Sequence, residues 1–210
     1  MTEDLQLLQI LNARIVHDLA GSIGTVDNCL SLIDTTTKTI GKQAKALAIE
    51  ECGNLVKKLN FFRGVYCSSG GDDQISVVYL TKLLKDFFST SEKVELDLDF
   101  EGGVIYLDAL LAKASLCLIM LVSEQIYASG KITFSCGNDK NNNFIRITSN
   151  AKDIRSNDKS LEILNDRKTP EINIGNCREY YINALCDDVG YRVFISKKGN
   201  NLEYNLLKVW

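Results

Sequence analysis

Residues 3 to 67 distribute apolar and polar positions with a helical period almost without a break. Leu5, Leu8, Ile15, Leu19, Ile23, Val26, Leu30 and Ile33 recur at three- and four-residue steps or their sum, with Asn12 and Ser22 filling the seam. That spacing lines one face of a helix. Ile40, Ala44, Leu47, Cys52, Leu55, Leu59, Phe62 and Tyr66 repeat it apart from the five-residue step between Leu47 and Cys52. Between the two stretches lies DTTTKTIG, whose Asp34 and threonines suit a turn or helix cap better than a helix interior. The pattern predicts a helical hairpin with two long arms. Two such helices cannot cover both apolar stripes by touching only each other. A twofold partner would complete a four-helix bundle, so the periodicity predicts a homodimer.

The period changes at CSSGGDD, residues 67 to 73, where small and acidic residues predict a boundary or short linker. The expected division is residues 1–70 as a hairpin and residues 71–210 as a second domain. After ISVVY, TKLLKDFFSTS reads as helical and VELDLDF alternates as a strand. DALLAKASLCLIMLVSEQIY predicts a buried helix. KITFSC and FIRITS predict a β-hairpin around an exposed, turn-rich GNDKNNN loop. A polar stretch from NAKDIR to TPEI reads as a long loop with one short helix. CREYYINALCDDVG predicts a helix stopped by Gly190, and YRVFIS and LEYNLLKVW form a last hairpin turned by KKGNN. Helices and mainly antiparallel strands, segregated rather than alternating, define an α+β fold class.

Composition narrows the chemistry. With 210 residues the chain makes one large domain or two small ones, and its 45% apolar content supports a core. Net charge is 24 − 27 = −3, without the basic surplus that phosphate-backbone binding requires, so no nucleic acid is expected as partner. The seven cysteines contain no C-x-x-C, and the closest two are nine residues apart; they read as reduced, mostly buried thiols of a cytoplasmic protein. The acidic and polar start, MTEDLQLLQ, is not that of a signal peptide. No stretch approaches the ~18 apolar residues of a membrane span, so no membrane association is expected. His17 is the one histidine and Pro170 the one proline. Zinc sites with two or three histidines are thereby excluded, and any imidazole chemistry runs through His17.

His17 lies in ARIVHDLAGSIG, two residues from the seam positions Ile15 and Leu19 and so about 200° around the helix, facing solvent. Its surface neighbours are Ala13, Arg14, Ala20, Gly21 and Gly24. Apart from Arg14, that face carries no bulk. A helical glycine costs roughly 1 kcal/mol relative to alanine, so two beside one exposed histidine suggest close approach by another surface. Close packing within the bundle is the alternative reading. A neutral imidazole is a competent phosphoryl nucleophile. Arg14 is placed to contact phosphate oxygens or an acidic partner. Asp18 is placed to hold the second ring nitrogen, although adjacent helical residues diverge by about 100°.

ARIVHDLAGSIGTVDNCLSLI resembles the H-box of histidine kinases and, more closely, the equivalent helix of ChpT-type histidine phosphotransferases. The resemblance extends through LVKKLNFFRGVYCSSG and YYINALCDDVGYRVFIS and covers almost the whole chain. Kinases carry a proline shortly after the histidine, where Ser22 and Ile23 stand here. The two asparagines by which kinases hold magnesium and ATP fall at about Cys117 and Leu121, neither able to ligate a cation as asparagine does. The adenine box reduces to NAKDIR and the glycine-rich lid to Gly175. GNCREYY, with one glycine before a helix, is weak as a phosphate loop.

The resemblance implies a dimeric four-helix bundle followed by a degenerate histidine-kinase-ATPase-like (Bergerat) α/β sandwich that binds no nucleotide. It implies that His17 accepts a phosphoryl group from the receiver domain of a hybrid sensor kinase of the CckA type and passes it to response regulators of the CtrA and CpdR types. No cofactor or metal is expected on the chain itself; Mg2+ is expected from the partner receiver. The docking footprint is expected around Ala13, Ala20, Gly21 and Gly24, with Phe61 and Arg63 of the second helix completing it. Phe61 as core and Arg63 as an ordinary solvated charge are the alternatives. A divergent kinase that still binds ATP and a non-catalytic dimeric scaffold are the competing functional readings.

Overall fold

The structure is a computed structural model describing residues 2–33, 37–67, 73–139, 142–154, 158–166 and 170–209. Helices α1 (Glu3–Ile33) and α2 (Lys38–Tyr66) form the expected antiparallel hairpin. Residues 34–36 of the expected turn and 68–72 of the expected linker lie outside the described residues. The chain continues through β1 (Gln74–Ser76), α3 (Val77–Phe88), β2 (Val94–Phe100), β3 (Tyr106–Asp108) and α4 (Ala109–Glu124). It then forms β4 (Gly130–Asp139), β5 (Asn142–Ala151), α5 (Asp158–Asp166), α6 (Cys177–Asp188), β6 (Tyr191–Lys198) and β7 (Asn201–Lys208).

The main sheet has the order β2-β4-β5-β7-β6. β2 runs parallel to β4, and every other neighbouring pair in this sheet is antiparallel. The parallel pair follows from the crossover through α4, since parallel strands need a long connection and antiparallel ones a tight turn. Gly190 and Gly199 take positive φ, 73° and 60°, at the end of α6 and the turn after β6, conformations open to glycine at little cost.

One expected loop is largely strand. GNDKNNN was to be a turn-rich excursion, yet pairing runs on through Asn138↔Asn143 and Asp139↔Asn142. Gly137 does not bend the chain. A Cβ there would meet the Phe144 ring at 2.5 Å, so the glycine makes room for that ring on the paired strand.

One face of the sheet is apolar with period two: Ile132, Phe134 and Cys136 on β4, Ile145 and Ile147 on β5, and Leu202, Tyr204 and Leu206 on β7 are all buried. Helix α4 begins where the Asp108 carboxylate accepts the amides of Leu110 and Leu111 at 2.8 and 3.1 Å, an N-cap of the usual kind. It packs against α6 and α2 and buries 13 of its 16 residues.

The hairpin joins this core at its lower end. Phe61, Phe62 and Val65 belong to the same buried cluster as α3, α4 and the sheet. Phe61 stacks on Phe87 at 4.0 Å between centroids, and Tyr181 donates to the Val65 carbonyl at 3.0 Å. Helix α1 is different. It buries only Leu11 and Cys29, while Leu5, Leu8, Val16, Ile23 and Leu30 stay exposed, as do Ile40, Leu47, Ile49, Val56 and Leu59 on α2. All seven cysteines are free, and five are buried.

Candidate functional site

The site starts from a helix position. Asp18 turns inward from α1 and His17, one residue earlier, turns away, leaving its imidazole 74% exposed. The two still meet: His17 Nδ1 lies 3.4 Å from Asp18 Oδ1. That contact is long for a hydrogen bond, but it falls on the ring nitrogen that faces the protein. The angular objection to Asp18 is met by the bend of the two side chains toward each other.

Asp18 is itself gripped from three sides. Arg14 Nε lies 3.2 Å from its carboxylate. Arg178, from α6, pairs with Asp18 Oδ2 through Nη2 and with Glu124 Oε1 through Nη1 at 2.6 Å. Arg14 Nη2 reaches the same Glu124 at 3.3 Å. Lys58 of α2 donates to the Asp18 carbonyl at 2.6 Å. Two carboxylates and two guanidiniums thus close a ring that joins α1 to the ends of α4 and α6. The Arg178 side chain is only 4% exposed, and its pairs with Asp18 and the half-exposed Glu124 satisfy its charge at the edge of the interior. Burial disfavours the Arg178 charge, but Glu124, Tyr66 and Cys117 together outweigh it and the Arg178 pKa is raised.

Beside this ring opens a cleft of about 510 Å³ between the hairpin and the layer. His17, Asp18, Gly21, Ser22 and Thr25 form its α1 wall; Lys58 and Phe62 come from α2, and Ser123, Glu124 and Arg178 from α4 and α6. Nothing of this chain lies within 4 Å of a Cβ added at Gly21 or Gly24. Packing within the chain therefore does not require either glycine.

Several expected site residues are placed differently. Phe61 is fully buried against Phe87 and has no surface to offer a partner; the core reading of it is the correct one, because α3 covers the last turns of α2. Arg14 points onto Asp18 and Glu124 instead of outward, so its guanidinium is engaged within the chain. Arg63, Ala13 and Ala20 are exposed, but none lines the cleft. Arg178, Glu124 and Lys58 were missed. Arg178 lies 160 positions from Asp18, and no local pattern marks such a pairing.

The kinase nucleotide positions map to the interior. Cys117 is fully buried and Leu121 nearly so, and burial pushes the Cys117 thiol up to about 12. Helix α6, which begins two residues after Gly175, packs on this stretch of α4. Among the described residues, no group of three or more His, Cys, Asp or Glu side chains is arranged to hold a metal ion, and no helix is long and apolar enough to cross a membrane.

Residues 79–201 match the family described as histidine phosphotransferase C-terminal domain, and the chain belongs to that family. The matched segment does not include His17. A solved structure of a bacterial phosphotransferase is similar over 99% of this chain and 98% of its own, with TM-score 0.87 and 22% identity. The Acinetobacter baumannii histidine kinase AdeS aligns over 90% of this chain and 95% of its own, with TM-score 0.49 and 14% identity. Histidine kinase ThkA, in complex with response regulator protein TrrA, aligns over 97% of this chain and 62% of its own, with TM-score 0.48 and 14% identity. No curated protein matches.

Proposed function

We propose that the chain is a cytoplasmic, homodimeric histidine phosphotransferase of the ChpT type, working as an intermediate in a multistep phosphorelay. The observation that carries this is the single histidine of a histidine phosphotransferase family member, exposed at a cleft with its inner ring nitrogen on Asp18. The His17 Nε2 lone pair attacks the phosphorus of an aspartyl phosphate on a hybrid-kinase receiver of the CckA type. The N–P bond forms as the acyl P–O bond breaks, the aspartate leaves as carboxylate, and the proton on Nδ1 stays on the ring, facing Asp18. The reverse displacement hands the group to response regulators of the CtrA and CpdR types. Such transfer demands chiefly in-line positioning and charge neutralisation, and the receiver brings Mg2+ for the latter.

In this reading residues 1–70 supply dimerisation and transfer, and residues 71–210 supply partner contacts and bind no nucleotide. The heptad-spaced Val16, Ile23 and Leu30, exposed on α1, are the seam for a second copy. Gly21 and Gly24 keep the receiver's approach to His17 clear. Transfer of labelled phosphate from a phosphorylated receiver tests the proposal: it is expected for the wild type and lost in His17→Gln, with the dimer retained. Calorimetry with ATP and Mg2+ is expected to show no binding; micromolar affinity would favour a divergent kinase.

A further inference from the structure

We propose that Arg178 is a positioning residue for His17, fixing through Asp18 which ring nitrogen receives the phosphoryl group. This rests on the phosphotransfer reading above and adds to it a role for α6.

The Asp18 carboxylate is shared among Arg178, Arg14 and His17. Arg178 Nη2 takes Oδ2, Arg14 Nε lies 3.2 Å from Oδ1 and donates to Oδ2 at the same distance, and His17 Nδ1 meets the carboxylate on its Oδ1 side at 3.4 Å. A carboxylate only accepts at neutral pH, so the ring nitrogen beside it is the one that carries hydrogen. The lone pair then lies on Nε2, the nitrogen that does not meet Asp18. Without Arg178, Asp18 keeps only the more exposed Arg14, its own neighbour on α1, and its carboxylate is free to turn with the helix surface. Arg178 is instead anchored from the far layer by Glu124 at 2.6 Å. Its planar fork meets two carboxylates at once in a fixed geometry that a flexible ammonium does not impose.

A purely structural clamp is a poor account of this group. Arg178 is buried with its Nε lacking a hydrogen-bond partner, and well-packed apolar residues in place of the whole charged set would hold α6 to α1 equally well or better. What an apolar residue could not do is orient Asp18.

Because His17 is the only histidine, nitrogen NMR of histidine-labelled protein reports one imidazole. Full-length wild type is expected to hold the neutral ring mainly as the Nδ1–H tautomer and to take phosphate on Nε2 alone from potassium phosphoramidate. In that reaction the ring lone pair forms the N–P bond as ammonia departs. Arg178→Met is expected to shift the tautomer ratio toward Nε2–H, to spread phosphate over both nitrogens and to slow uptake about 10-fold. Arg178→Lys, which keeps the charge, is expected to fall between the two and serves alone if the Met variant does not fold. A wild-type tautomer ratio and single phosphorylated nitrogen in these variants, with uptake normal, would overturn the role of Arg178. A wild type whose His17 takes up no phosphoryl group from phosphoramidate or a phosphorylated receiver would overturn the phosphotransfer reading instead.

Discussion

Helix α4 buries 13 of its 16 residues, whereas α1 buries two of its 31. Both are rich in leucine, isoleucine and valine, so composition alone does not separate them. The difference is what surrounds each. The apolar side chains of α4 are enclosed by the sheet, α2 and α6, all of the same chain. Those of α1 meet α2 on one flank and solvent on another. A helix apolar all round belongs to an interior, and a helix with an exposed apolar stripe belongs to an interface. Here His17, the proposed phosphoacceptor, is carried by the helix with the exposed apolar stripe, and the enclosed layer reaches its neighbour Asp18 through a handful of charged groups.

Substitutions can break this comparison. Val16→Glu with Ile23→Glu should leave the fold intact and raise the dimer dissociation constant about 100-fold or more by burying unpaired charge; light scattering at micromolar concentration would read the change. An unchanged mass would mean that the α1 stripe is not the seam. Leu116→Ala, in the middle of α4, should remove about 3 kcal/mol of stability in denaturant unfolding by opening a cavity. A loss below 1 kcal/mol would mean that α4 is less tightly enclosed than its burial implies.

Glu179 sharpens the contrast between buried and paired carboxylates. It is buried on α6 with Oε2 lacking a hydrogen-bond partner, and burial raises its pKa above the ordinary value of 4.5. The folded state therefore favours the protonated form. That stabilisation is complete below pH 4.5 and is lost as pH rises through the folded value. Glu179→Gln should match wild type at pH 4 and exceed it by about 1 kcal/mol at pH 7; urea melts across that range check it. Gly21→Ala brings the smallest change in stability, a gain of under about 1 kcal/mol, because a Cβ there meets nothing in this chain. Receiver binding should weaken at the same time. A variant both more stable and equally good at binding would separate the glycine from docking.

The sequence and the fold agree where periodicity is enough. The two hairpin arms, the enclosed α4, the alternating β2 and the last hairpin follow from spacing along the chain, and the outward position of His17 follows from its offset to Ile15 and Leu19. Spacing is silent on what one element places over another. Phe61 shares its helix with exposed residues, and only the arrival of α3 buries it. Gly137 reads as a turn former until Phe144 is laid beside it on the paired strand. Arg178 has the look of a surface charge at the start of a helix. Its partners Asp18 and Glu124 come from two other helices, so its burial is a property of the assembled layers.

The protein is incubated with a receiver domain phosphorylated on its aspartate, and the phosphate then bound to this chain is characterised. Acid-labile, base-stable phosphate is expected on His17 of the wild type and none on His17→Gln. No uptake by the wild type, or equal uptake by His17→Gln, would contradict phosphotransfer through His17.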